Sequence, residues 1–292
     1  MGVRPVRILL QTTIPTTGDN WSISRFSRLG ALLRAQHDEM GRPLYQVILR
    51  DRAPPGRADP VLSTIDEDGF DQLWLFAVDT GDGLTAEDCE AISRFRARGG
   101  GLLVTRDHMD LGSSVCTLVE IGKAHYFHTI NPDPDPAKRQ LDDPFATYIS
   151  WPNFHSGANG DFQEIEVVGP LHPVLADERS PTGSIRLLPA HPHEGGIGAP
   201  EGAGARVIAR GKSKVTGTRF NIAVAFEPGE HGGPGLAQST FHHFADYNWD
   251  TRSGCPSFVS EAPGDGMQRV PGALADTQRY ALNVAAWLSS RR

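Results

Sequence analysis

Histidine and aspartate recur together at three points of this 292-residue sequence: Arg106-Asp107-His108-Met109-Asp110, His191-Pro192-His193-Glu194, and the run from Phe241-His242-His243 to Asp246-Tyr247-Asn248-Trp249-Asp250. Imidazole titrates near neutrality and suits general acid/base catalysis, while neutral imidazole with carboxylate suits zinc and related divalent ions. Two chemistries are therefore open. In the first, Asp107, His108, His242 and His243 form the catalytic set. In the second, one of His242 and His243 joins His108, Asp107 or Asp110, and His191 or His193 around an ion. We take His108, His193 and His242 as the candidate ligands, and a divalent metal such as zinc as the cofactor. Adjacent histidines in an extended segment point to opposite sides, so one faces a pocket and the other packs.

Substrate contacts are expected from Asp19, Asn20 and Trp21, from Arg106, and from Asp246, Asn248 and Trp249. An indole offers an apolar platform, and carboxylates and amides offer hydrogen-bond partners for a small polar, sugar-like molecule. The competing reading of residues 246–250 is a capped turn with a buried tryptophan. Residues 151–161 mix aromatic and polar groups in the same way and are a candidate lid. Asp79-Thr80-Gly81-Asp82-Gly83 lacks the later glutamate of a calcium loop and reads as a turn. Cys89, Cys116 and Cys255 are widely spaced and odd in number, which excludes a disulfide framework and a thiolate zinc site.

These groups need a scaffold that gathers them. Near-continuous apolar runs at 6–10, 45–49, 73–78 and 102–105 fit parallel strands buried on both faces. Between the first two, Ile23, Phe26, Gly30 and Leu33 form one helical stripe, with Gly30 allowing close approach to the sheet. Thr85 and Asp88 have capping-box spacing, Cys89 and Ile92 fall on one helix face, and Gly99-Gly100-Gly101 stops that helix. After the fourth strand, Gly112-Ser113-Ser114 opens an expected helix over 115–121. In the second half, Phe220, Ile222, Val224 and Phe226 alternate with period two, and short strands are expected at 165–168, 185–188, 207–209 and 236–240. Tyr280, Ala281, Val284, Ala285 and Leu288 share one face of a closing helix. Ligands of open α/β sheets bind beyond the carboxyl ends of the strands, and the polar clusters named above follow predicted strands.

Composition narrows the class. Hydrophobic residues make up 39% and charged residues 22%, with mean hydropathy −0.33, which fits a globular chain and excludes disordered and membrane classes. Lys plus Arg number 28 against 35 for Asp plus Glu, giving −7. With no basic run, this argues against nucleic acid and for a small-molecule substrate. The first ten residues carry too short an apolar stretch for a signal peptide or span, so a cytoplasmic location, with no membrane partner, is the expectation. Homo-oligomerisation is left open.

Gly99 through His108, a glycine-rich helix end followed by a strand and a histidine-bearing turn, resembles the class I glutamine amidotransferase-like superfamily. Within it, the late strand running into His242-His243 and the terminal helix containing Trp287 are most similar to trehalose-utilisation (ThuA-like) proteins. The resemblance implies a flavodoxin-like, doubly wound, mostly parallel sheet with helices on both faces, an added antiparallel segment in the second half, and one domain over residues 1–292. It also implies a pocket at the turn after the fourth strand and a carbohydrate-related substrate. Cysteine glutaminase chemistry is not expected, because Arg106, Asp107 and His108 stand where that chemistry needs a thiol. The expected function is hydrolysis or rearrangement of a small polar substrate, of the hydrolase or lyase kind. The alternative is a non-catalytic binding or assembly subunit.

Overall fold

The computed structural model describes residues 4–139, 141, 142, 146, 148–151 and 153–290. Its strands are β1 (Val6–Thr12), β2 (Tyr45–Arg50), β3 (Gln72–Phe76), β4 (Gly101–Thr105), β5 (Asn153–Phe154), β6 (Phe162–Glu164), β7 (Glu166–Val167), β8 (Leu187–Pro189), β9 (Glu194–Gly195), β10 (Ala205–Lys212), β11 (Arg219–Phe226) and β12 (Gly235–Gln238). The helices are α1 (Ser27–Arg34), α2 (Ala86–Ala97), α3 (Asp246–Trp249), α4 (Gly266–Arg269) and α5 (Pro271–Leu288). Eight strands form one sheet in the order β2-β1-β3-β4-β12-β11-β10-β7. The first five run parallel, and β11, β10 and β7 continue antiparallel. This is the flavodoxin-like arrangement with an antiparallel extension, since the parallel part follows the 2-1-3-4-5 order.

Residues alternate between two cores, as the period of a strand demands. Ile8, Leu10, Trp74, Phe76, Leu103 and Leu236 face the layer that holds α1 and α5. Leu9, Leu73, Leu75, Leu102, Val104 and Val224 face the layer that holds α2. Gly30 sits where an added Cβ would lie 2.9 Å from Leu49 Cδ1, so the close approach read from the sequence is real. Both halves of the Thr85–Asp88 capping box are formed. On α5, Tyr280, Ala281, Val284, Ala285 and Leu288 are buried.

The expected helix over 115–121 does not form. Ser113–Thr117 and Ile121–Ala124 are separate 3-10 turns, parted by an extended Leu118 and by Glu120 at φ 59°. The preceding Gly112, at φ 88°, packs so closely on Ala77 that a Cβ there would lie 2.8 Å from the Ala77 carbonyl oxygen. Two left-handed positions thus divide the segment into turns too short for α-helical pairing. Likewise, residues 185–188 contribute to a two-stranded ribbon of β8 with β6 rather than to the main sheet. Among the described residues, no helix is long and apolar enough to cross a membrane.

Candidate functional site

β4 and β12 are parallel neighbours ending in register at Thr105 and Gln238. The chain leaving β4 reaches Asp107 and His108, and the chain leaving β12 reaches His242. A hydrogen bond of 3.0 Å from the Phe241 N–H to the Arg106 carbonyl holds the two exits together. A third segment enters between β8 and β9 with His191 and His193, anchored by Gly195 N–H on the Ser239 carbonyl at 3.0 Å and by His191 N–H on Ser156 Oγ at 2.9 Å. Three distant stretches of sequence meet at one strand end.

At the centre is the buried Asp107 carboxylate. His108 Nδ1 lies 3.3 Å from its Oδ2, His242 Nε2 lies 3.9 Å from Oδ2, and His191 Nδ1 lies 3.8 Å from Oδ1. The His191 and His242 rings stack at 3.6 Å between centroids. His193 lies edge-on to His108 and to His191, at 5.2 and 5.5 Å, and its Nε2 is 3.5 Å from Glu261 Oε1. Asp107, His191 and His242 each offer one ligand atom within 4.8 Å of the others. Tetrahedral zinc ligands lie about 3.3 Å apart, given bonds of about 2.0–2.1 Å, so a small inward movement would close these three on one ion. Asp107 Oδ1 is buried without a hydrogen-bond partner among the described residues, and a buried orphaned carboxylate oxygen is costly unless something positive meets it.

The protonation states suit a ligand set. Burial pushes the His242 imidazole down to about 4, outweighing Asp107 and the hydrogen bond to Asn248, which push it up. Burial, aided by neighbouring imidazoles, also holds His191 well below its ordinary value. Burial alone would raise the Asp107 carboxyl, but the facing His108, His242 and His193 bring it below the usual range. At neutral pH the trio is one carboxylate and two neutral imidazoles, the forms that bind divalent ions. The opening to solvent lies at His108 and Glu261, whose side chains are 19% and 27% exposed, against 3% for Asp107.

The sequence-predicted residues separate into distinct roles. Asp107, His108, His193 and His242 meet in the cluster, with His191, rather than His108 or His193, completing the tight trio. His243 turns the other way: its Nδ1 contacts Gln238 Nε2 at 2.6 Å and its Nε2 faces Glu194 at 3.4 Å. The pair sits in a 3-10 turn, Phe241–His243, rather than in the extended segment expected, and both histidines are buried, His242 facing Asp107 and His243 facing Glu194.

The expected substrate contacts are mostly structural. Trp249 is buried and donates its indole N–H to the His243 carbonyl at 2.9 Å. Asp246 caps α1 through Ser27 and Arg28. Asp19 binds the Ser257 backbone and hydroxyl, and Asn20 caps the Trp21 N–H. Trp21 is buried edge-on against His242 at 4.6 Å. Asn248 Oδ1 lies 2.8 Å from His242 Nδ1 and accepts its hydrogen. Arg106 is wholly buried, gripping the Met109, Tyr126 and Gly196 carbonyls and lying 4.1 Å over Phe127. Burial lowers its guanidinium to about 9, against the opposing pull of Asp107. It clamps the loops that carry the cluster. Of the candidate lid, Pro152 lies outside the described residues, while Ser156 and Asn159 are buried supports.

Glu261 has no mark in the sequence. It lies in an irregular segment rich in glycine, proline and serine, brought to His193 by the Asp19–Ser257 bond 238 residues apart in sequence. No cysteine stands on the turn after β4. Burial raises the nearest thiol, Cys116, to about 11, so it is not a ready nucleophile.

No family model matches this chain, and no curated protein does. Among solved structures, it is similar to the mmIFT52 N-terminal domain, at 12% identity and TM-score 0.50, with 97% of each chain covered. It is also similar to the Trypanosoma brucei CTPS glutaminase domain with bound acivicin, at 13% identity and TM-score 0.48 over 98% of each. A third similarity is to the carbohydrate deacetylase Agd3, at 12% identity and TM-score 0.42, over 85% of this chain and 32% of that one. Identities this low bear on fold alone, and the last two scores are too low to carry any argument.

Proposed function

We propose that this protein is a metal-assisted hydrolase for a small polar substrate, with Asp107, His191 and His242 holding a divalent ion such as zinc. The observation that carries this reading is the buried, unpartnered Asp107 Oδ1 beside two neutral imidazoles. A bound ion of this class polarises a substrate carbonyl and activates water for hydrolysis. The chain's own residues supply the rest. His108 Nδ1 is within reach of Asp107 and its ring borders solvent, so it is placed to take a proton from water and return it to a leaving group. His193, held by Glu261, flanks that exchange. The indole of Trp21 and the stacked rings of His242 and Phe241 wall the inner side against water.

The motif resemblance to amidotransferase-like and trehalose-utilisation proteins supports a carbohydrate-like substrate. The absence of an elbow cysteine separates the reaction from glutaminase chemistry. A binding subunit without turnover is the competing reading; it shares the ion but not the role of His108.

The test is elemental analysis of protein purified without tag or chelator, beside turnover of a panel of ester, amide and glycoside substrates. Near-stoichiometric zinc or a similar ion, lost in Asp107→Asn, with turnover lost in His108→Gln at unchanged metal content, supports the reading. No ion in the wild type after zinc addition overturns the metal. Metal without turnover of any substrate favours the binding subunit.

A further inference from the structure

We infer that Asn248 is a positioning residue that fixes His242 as its Nδ1–H tautomer, so that a lone pair on Nε2, and not a proton, faces Asp107. The inference deepens the cation-site reading above and rests on it only for what fills the gap. Asn248 Nδ2 lies 3.2 Å from the Ala190 carbonyl oxygen and 2.8 Å from Asn159 Oδ1. A carbonyl can only accept, so the amide nitrogen is the end that faces it. Asn248 Oδ1 must then be the atom 2.8 Å from His242 Nδ1, and an amide oxygen can only accept. His242 Nδ1 therefore carries the hydrogen. The ring cannot exchange its edges, because Trp21, Phe241 and His191 enclose it at centroid distances of 4.6, 4.2 and 3.6 Å.

The consequence falls on the far nitrogen. His242 Nε2 is bare and 3.9 Å from Asp107 Oδ2. A proton-transfer dyad of carboxylate and imidazole needs an N–H directed at the carboxylate, and the amide relay forbids it. On the other side, the His193 backbone N–H points at His191 Nδ1 from 3.2 Å, which leaves that nitrogen unprotonated and 3.8 Å from Asp107 Oδ1. Neither imidazole therefore turns a ring N–H toward Asp107: His242 presents its bare Nε2, while the His191 Nδ1 lone pair is taken by the His193 N–H. The relay through Asn159 and Asn248 selects a cation over a proton, in the manner of outer groups that orient metal-bound histidine.

The experiment is 15N NMR of the full chain, labelled at histidine and stripped of metal, at mildly alkaline pH, with His242→Gln assigning the resonance. A pyrrole-type Nδ1 and pyridine-type Nε2 at His242 are expected, and the reverse pattern overturns the inference. Asn248→Leu, which keeps the volume and removes the acceptor, should mix the tautomers and weaken zinc binding 10–100-fold in a competition titration. Asn248→Asp should retain both. An unchanged zinc affinity in folded Asn248→Leu overturns the positioning role. The expected tautomer in a wild type that binds no zinc supports the assignment to Asn248 and sinks only the cation reading, so the two failures are distinguishable.

Discussion

Two buried carboxylates face the consecutive histidines that follow β12, Asp107 facing His242 and Glu194 facing His243, and they are treated in opposite ways. Glu194 is wholly buried and saturated: Oε1 accepts from Ser156 Oγ at 2.6 Å and from Gln163 Nε2, while Oε2 accepts from Ser239 Oγ at 2.8 Å. Its histidine, His243, takes a hydrogen bond at Nδ1 from Gln238, whose own oxygen accepts from the Tyr280 hydroxyl, so His243 turns an Nε2–H toward the carboxylate. Asp107 has the same burial, yet Oδ1 is left without a partner and His242 turns a lone pair toward it. Consecutive histidines thus hold opposite tautomers against two carboxylates. A satisfied buried charge is structure, while one kept unsatisfied at a cost in stability points to a ligand.

The largest effect should come from reversing these treatments. Glu194→Gln places amide hydrogens against groups that already donate, and should cost about 3 kcal/mol or more in urea unfolding. Asp107→Asn in chelated protein removes a charge that faces lone pairs, and should be neutral or stabilising while abolishing metal binding. Equal destabilisation by the two changes would break the contrast.

Metal addition sharpens it next. Zinc at about a thousand times its dissociation constant should raise the unfolding free energy by about 4 kcal/mol. Asp107→Asn should show none of this, and Glu194→Gln should retain it despite its lower starting stability. Differential scanning calorimetry with and without zinc measures both.

A third buried imidazole belongs to neither class. His125 is fully buried, and both ring nitrogens lack hydrogen-bond partners among the described residues. Burial first, then the nearby Arg106, lowers it from 6.5 to about 3. The unfolded chain therefore takes up the proton first as pH falls. Its contribution is complete above pH 6.5 and is lost as pH drops toward about 3, at about 1.4 kcal/mol per pH unit. His125→Phe should flatten that part of the stability–pH curve, and an unaltered slope would assign the titration to other groups.

How much of this was legible in the sequence depended on how local the cause was. The strands of the parallel sheet were readable because burial on both faces leaves nearly unbroken apolar runs, and the Thr85–Asp88 cap because its partners are three residues apart. The segment at 115–121 misled because its apolar residues suit a helix, whereas the tight seat of Gly112 on Ala77 dictates turns. At the site, Asp107, His108 and the His242-His243 pair stood out because they follow strands directly. That His191, and not His193, meets Asp107 depends on Ser156, Glu194 and Ser239 steering its loop. Asn248 was visible as a polar group, but its role came only with Ala190 and Asn159 in place.

The smallest effect should come from Glu261, which sits at the rim where neither treatment applies. Its side chain is 27% exposed and lies 3.5 Å from the buried His193, and a partly solvated pair with this loose geometry contributes about 1 kcal/mol. Glu261→Gln should leave unfolding free energy within about 0.5 kcal/mol of the wild type and leave zinc affinity unchanged, because Glu261 meets the cluster at His193, which is not one of the three ligands. Its effect should be confined to turnover, as a loss of severalfold in kcat/KM through looser placement of His193. A large loss of zinc affinity would instead show that the rim and the buried trio act as one unit, and that the contrast between saturated and unsatisfied carboxylates extends to the surface.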